Sequence, residues 1–209
     1  DVVAVYTRAD AVRGRGKKLV ASPVKEVALG AGIPVFEPRT LRDEAEVERL
    51  CALAPDVICV AAYGMILPQA VLDIPKHGCL NVHASLLPKY RGAAPVVAAL
   101  EAGDRLTGVT VMRMGVGLDD GPIMLQSFEP IYPDTTGGAL MDDLAIAGGV
   151  ALAKALKLMS RHALPPEVPQ DAAAATYVKK LKKTDGLVDW ARPVLEIERR
   201  VRAYNPWPG

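Results

Sequence analysis

The stretch LNVHASLLPKYRGAAP, residues 80–95, places an amide and an imidazole two positions apart, Asn81 and His83, in a chain with three histidines. On a strand, residues two apart point to the same face. An amide N–H₂ donates to a carbonyl oxygen, and an imidazole beside it donates too or shuttles a proton near neutral pH. At a strand's end, that pair suits a carbonyl polarised for attack. The plainer reading is an asparagine that caps the strand and a satisfied structural histidine. Further along, GVGLDDG (115–121) sets acids among glycines. Glycines let a loop approach a ligand closely, and a carboxylate at its tip accepts or relays a proton. Beside His83, Asp119 would hold the imidazole in one tautomer. Alternatively, Asp119-Asp120-Gly121 is only the turn of a hairpin. RGRGKK (13–18) is a basic, glycine-broken loop able to track phosphates, or a solvated charged loop. Arg91 reaches an acidic or phosphate group, or closes a surface turn.

Elements of ordinary size must position these groups. The 209 residues suffice for one large α/β domain with a real core. Half are apolar and a twentieth aromatic, with alanine, valine and leucine dominant, which suits helices packed on a parallel sheet. A net charge of +1 excludes a polyelectrolyte binder, so any nucleic-acid contact must come from a local patch. Cys51, Cys59 and Cys79 lack metal-binding spacing and read as reduced, buried thiols. His77 and His162 have no partners by spacing. No metal triad, GxSxG, Walker loop or GxGxxG is present. Without a signal peptide or a membrane-length apolar run, the expectation is a soluble, cytoplasmic protein.

The pattern predicts strands at 2–7, 33–38, 56–63 (fully buried), 79–84, 107–114 and 122–131, the last two antiparallel across GVGLDDG. Helices are expected at 22–32, with Ser22 as cap and Pro23 in the first turn, and at 40–55, where Val47, Leu50, Cys51 and Ala54 share a face. Others start near Pro95, run from Thr136 to Ser160, and close the chain at 193–204. A proline-rich exit separates the last two. Alternating strands and helices imply a doubly wound, mostly parallel, Rossmann-like sheet, whose ligands sit beyond the strands' carboxyl ends. The loops after Tyr63, Asn81 and Val116 then gather at one edge. The chain opens already in a strand and stops at NPWPG, which suggests further sequence on both sides.

Taken together, Asn81-x-His83, SLLP and GLDDG resemble the formyltransferase superfamily that uses 10-formyltetrahydrofolate, and within it the methionyl-tRNA formyltransferases. The segments GRGKKL, SPVK, PVFEP, AYGMILP, NVHASLLPKYRGAAP, TGVTVM, GLDDGPIM, DTTGGAL, VDW and NPWPG arrive in family order. The resemblance implies a catalytic trio of Asn81, His83 and Asp119, the spacing from GVGL favouring Asp119 over Asp120. It implies folate contacts from Met65, Ile66 and Leu67, from Ser85, Leu86, Leu87 and Pro88, and from Val116, Gly117 and Leu118. Arg13, Arg15, Lys17 and Lys18 match the insertion that meets the tRNA acceptor end. A first strand is implied before residue 1 and a small β-barrel after Gly209. Residues 1–178 would then be a catalytic domain lacking its first strand, and 179–209 a linker and helix leading to the barrel.

The implied reaction is direct attack of the methionine amino group, on initiator methionyl-tRNA, at the formyl carbon of 10-formyltetrahydrofolate. Asn81 and His83 would donate to the tetrahedral oxyanion, and Asp119 would position His83 and help move the proton. Folate is a co-substrate, no metal is called for, and a monomer is expected. Rival readings are a sugar-amine or other small-amine N-formyltransferase, a 10-formyltetrahydrofolate hydrolase, or a non-catalytic folate- or RNA-binding module.

Overall fold

The computed structural model describes residues 1–12 and 19–209. The basic segment 13–18, with Arg13, Arg15, Lys17 and Lys18, lies outside the described residues. The chain divides into two compact units, 1–79 and 80–209.

In the first unit, β1 (Val5–Tyr6), β2 (Ala11–Val12) and β3 (Leu19–Val20) lead into α1 (Pro23–Gly30). Ser22 caps α1 by accepting the Lys25 N–H, and its hydroxyl bonds that of buried Thr7 at 2.9 Å. β4 (Val35–Phe36) pairs with β1 in parallel, Val5 opposite Val35. α2 (Glu44–Ala52) begins later than its hydrophobic pattern suggested, because Asp43 stands at its N-cap. Leu50 is buried on its inner face while Cys51 is exposed.

β5 (Ile58–Ala61) is shorter than expected and is not fully buried: its residues alternate between half-buried and exposed, so only one face is covered. Cys59 therefore stands exposed, contrary to the expectation that all three thiols are inside; Cys79 alone is buried. The burial Cys59 does have pushes its thiol pKa up. α3 (Gln69–Leu72) follows, with Val71 and Leu72 buried.

The second unit is built on β6 (Cys79–His83), which crosses from the first unit at its start. β7 (Arg91–Gly92) and α4 (Pro95–Ala102) follow, the helix ended by Gly103 in the left-handed conformation. β8 (Leu106–Arg113) runs antiparallel to both β6 and β9 (Ile123–Pro130), confirming the expected β8–β9 hairpin. Thr107 to Met112 are all buried, as a central strand covered on both faces requires. α5 (Gly137–Ser160) fills the span expected for the long helix, with the Thr136 hydroxyl as its cap. β10 (Tyr177–Val178) adds in parallel to β7, and α6 (Val194–Ala203) packs beside α4. The core joins these elements through Val96, Val97, Leu100, Val109, Leu140, Leu144, Ala203 and Tyr204.

Among the described residues, no helix is long and apolar enough to cross a membrane.

Candidate active site

The antiparallel register sets Asn81 opposite Met112 and His83 opposite Thr110, so both project from one face near the end of β8. The loop that leaves β8 returns Asp119 to that face. Asp119 takes a left-handed φ of 49°, a conformation in which aspartate is enriched because its short side chain bonds locally. Its carboxylate accepts the Asn81 amide N–H at 3.3 Å on Oδ1 and the Gly92 backbone N–H at 2.9 Å on Oδ2. The same Oδ2 lies 3.7 Å from His83 Nδ1, beyond hydrogen-bond length but well within Coulomb range. Asn81, His83 and Asp119 thus converge. Asp120, by contrast, is exposed, and of the two adjacent acids Asp119 is the one that reaches Asn81.

His83 is buried, and its Nε2 stands 2.9 Å from the Tyr90 carbonyl oxygen. A carbonyl only accepts, so Nε2 carries the hydrogen. In the neutral ring, Nδ1 is then the bare nitrogen and faces Asp119. That narrows the sequence reading: a neutral His83 takes a proton at Nδ1, and only a protonated one donates from it. Asn81 uses one amide hydrogen on Asp119, and the second is the one an oxyanion can receive.

The SLLP turn is fixed from beneath. Buried Thr110 donates its hydroxyl to the Ser85 carbonyl at 2.7 Å and accepts the Leu87 N–H at 3.1 Å. Gln126 donates to the Leu87 carbonyl and to the same hydroxyl. Ser85 Oγ donates to the Lys89 carbonyl. Of the folate residues suggested by resemblance, Ser85 and Leu87 are buried, while Leu86 and Pro88 are half-buried. Val116, Gly117 and Leu118 are exposed on the loop that carries Asp119. In the first unit, Leu67 is buried, Met65 half-buried and Ile66 exposed. The buried members shape the turn, and the exposed apolar ones have surface to offer a ligand.

Arg91 is neither a ligand-reaching nor a surface cation. It is 4% exposed, with Nε and one terminal nitrogen donating to Gln170 Oε1 at 3.0 and 2.8 Å and the other donating to the Tyr177 hydroxyl. Its fork is satisfied by neutral acceptors, which is how an arginine tolerates burial. The sequence reading also missed the Tyr90 carbonyl, the Gly92 N–H, Thr110, Gln126 and Gln170. Gly92 was the one with a signal, as a glycine within the stretch 80–95; the structure gives it φ 108°, where a side chain would overlap the Val178 carbonyl of β10.

Among the described residues, no cluster of three or more histidine, cysteine, aspartate or glutamate side chains stands ready to hold a metal ion. What the arrangement can do is bind an oxyanion and move one proton in a fixed direction.

Comparison with known proteins agrees with that chemistry. The chain is 54% identical to a methionyl-tRNA formyltransferase of Marinobacter nauticus over all 209 residues, which span 67% of that relative. Among solved structures, a sugar N-formyltransferase from Shewanella shares the fold with a TM-score of 0.71 at 18% identity, covering 88% of this chain and 71% of its own. HypX from Aquifex aeolicus in complex with tetrahydrofolic acid does so with a TM-score of 0.71 at 17% identity, covering 100% and 35% respectively. The pattern of the formyl transferase C-terminal domain matches residues 180–209. That of formyl transferase itself matches residues 1–156, and with the 54% identity to a curated relative this shows that the chain belongs to the formyl transferase family.

Proposed function

We propose that this chain carries the catalytic centre of an enzyme that moves the formyl group of 10-formyltetrahydrofolate to the amino group of methionyl-tRNA. The observation that carries the reading is the convergence of Asn81, His83 and Asp119, with both Asp119 oxygens engaged and one His83 nitrogen committed. The 54% identity to a methionyl-tRNA formyltransferase supports the acceptor, and the likeness to a tetrahydrofolate-bound protein of the same fold is consistent with the donor.

The neutral amine attacks the formyl carbon, forming the C–N bond and pushing the carbonyl electrons onto oxygen. Asn81 donates its second amide hydrogen to that oxyanion, a contact whose loss typically costs ~10²–10³ in rate. The amine nitrogen, now positive, gives a proton to His83 Nδ1. The tetrahedral carbon collapses, the bond to folate N10 breaks, and N10 leaves with the proton returned from Nδ1. Asp119 faces Nδ1 throughout and balances its charge while the proton rests there. Nothing is oxidised or reduced, and no covalent enzyme intermediate is required.

In this reading, the folate lies against Leu86, Val116 and Leu118, with Ser85, Leu87, Pro88 and Gly117 shaping its place; the family resemblance separately assigns Met65, Ile66 and Leu67 to the donor. Arg13, Arg15, Lys17 and Lys18 contact tRNA phosphates, so the Michaelis constant for tRNA climbs with salt. One chain supplies the whole trio, so a monomer suffices for this chemistry, and a tRNA acceptor places it in the cytoplasm.

The test is a single-turnover assay of the full-length protein with 10-formyltetrahydrofolate and three acceptors: methionine-charged initiator tRNA, an amino-sugar nucleotide, and water. Formyl-methionyl-tRNA as the dominant product is expected. Transfer to the sugar or to water alone would overturn the acceptor, and no transfer at all would overturn catalysis.

A further inference from the structure

Gln170 lies in the proline-rich stretch between α5 and β10, remote in sequence from every residue discussed as catalytic. Its side-chain nitrogen donates to two carbonyls of the loop after β8, Asp119 at 2.9 Å and Gly121 at 2.7 Å. Its side-chain oxygen accepts two N–H groups of buried Arg91. The orientation follows from that pairing. A guanidinium only donates, so it must face Oε1, which turns the two amide hydrogens onto the loop.

Arg91 precedes Gly92, whose N–H holds the Asp119 carboxylate at 2.9 Å. One two-residue strand therefore grips Asp119 twice: directly at its side chain through Gly92, and at its backbone through Arg91 and Gln170. Pairing of β7 with β10, Tyr177 opposite Arg91, keeps that strand in place, and the Tyr177 hydroxyl takes a further Arg91 hydrogen. The loop needs such a grip. Gly115 to Leu118 are exposed, and Asp119 sits at a positive φ that few residues other than glycine adopt.

We propose that Gln170 is a positioning residue for the transfer reaction: its amide fixes the Asp119 backbone so that the carboxylate stays within Coulomb range of His83 Nδ1. This rests on the reading of Asp119 as the partner of His83 in proton movement. A misplacement of about 1 Å in such a group costs ~10²-fold in rate.

The discriminating variant is Gln170→Glu in the full-length protein. It keeps the acceptor for Arg91, now as an ion pair, and replaces both loop donors with an oxygen that faces carbonyls. If Gln170 serves only to satisfy Arg91, this variant matches the wild type. If it clamps Asp119, kcat falls ~10²-fold with the folate and tRNA Michaelis constants within about threefold, and hydrogen exchange across residues 114–122 speeds up while the melting temperature holds. Should the glutamate variant unfold, Gln170→Met made in an Arg91→Met background decides the matter, because no buried guanidinium is then left without its acceptor: against Arg91→Met alone it too must lose turnover and loop protection. Turnover and loop exchange unchanged from its parent in either folded variant overturns the proposal. Asp119→Asn, run alongside, separates the two layers: an active Asp119→Asn sinks the underlying site reading, whereas an inactive one beside an active Gln170→Glu sinks the clamp alone.

Discussion

Asp119→Asn is the substitution for which the structure fixes the largest consequence with the smallest change of shape. The carboxylate lies 3.7 Å from His83 Nδ1, in a place where His83 is 6% exposed. Two unit charges about 4 Å apart interact by about 4 kcal/mol at an effective dielectric near 20. That energy is present only while His83 carries the migrating proton, so it acts on the transition state and not on folate binding. Removing it lowers kcat by ~10³, at 1.4 kcal/mol for each tenfold. The hydrogen-bonding pattern adds to the loss. Both carboxylate oxygens accept an N–H, from Asn81 and from Gly92, so an amide must turn its own N–H₂ toward one of those donors. The assay is single-turnover formyl transfer at saturating folate, with folate affinity measured separately by fluorescence titration. Expected are a ~10³ loss in rate and an affinity within about threefold. Asp120→Asn, one residue along and exposed, is the matched control and retains turnover within about twofold. A rate for Asp119→Asn within tenfold of wild type, or an equal loss for Asp120→Asn, refutes the electrostatic account.

Gly92→Ala combines a φ of 108° with overlap against the Val178 carbonyl, so it displaces β7 or β10; a loss of about 3 kcal/mol in urea unfolding is expected, together with a fall in turnover as the Gly92 N–H leaves Asp119. Burial, aided by the hydrogen bond to Glu101, raises the Tyr204 hydroxyl pKa to about 12. The folded chain therefore keeps that proton where the unfolded chain has lost it, and the stability it contributes below about pH 10 is lost between about pH 10 and 12. Tyr204→Phe flattens that part of the stability profile, and a denaturant midpoint that falls as steeply in the variant contradicts the assignment.

Which parts of the site were legible in the sequence follows from the kind of contact each makes. Asn81 and His83 share a face because a strand alternates, and that is readable from two letters and a hydrophobic run. The hairpin that carries Asp119 was readable as well, but its arrival at His83 was not: the residues are 36 positions apart, and only resemblance joined them. Gln170 left no trace, because the two carbonyls it donates to are groups every residue type carries, and its side-chain partner, Arg91, lies far away in sequence. Arg91 was misread for the opposite reason. Arginine is usually exposed, and its burial here depends on a glutamine and a tyrosine about 80 residues downstream. Cys59 shows the limit of apolar runs: a strand of buried composition has two faces, and this one covers a single face.

The trio and every group that holds it, from Thr110 and Tyr90 to Gln170, lie within residues 80–209, whereas Met65, Ile66 and Leu67 belong to the first unit. The resemblance gives those three a part in binding the donor and none in the chemistry, so the two should come apart under mutation. Ile66 is the sharpest probe, because its side chain is 75% exposed and contributes little to the core. If it contacts folate, as the resemblance implies, truncation to alanine forfeits burial of about three methylene-sized groups, each worth about 0.8 kcal/mol when fully buried. Partial burial reduces the loss to about 1–2 kcal/mol, a ~10-fold rise in the folate dissociation constant. Turnover at saturating folate stays within about twofold, since Ile66→Ala removes a contact made equally in the ground and transition states. A drop in kcat with unchanged folate affinity would reverse the assignment, placing Ile66 in the positioning of the reaction and not in the binding of its donor.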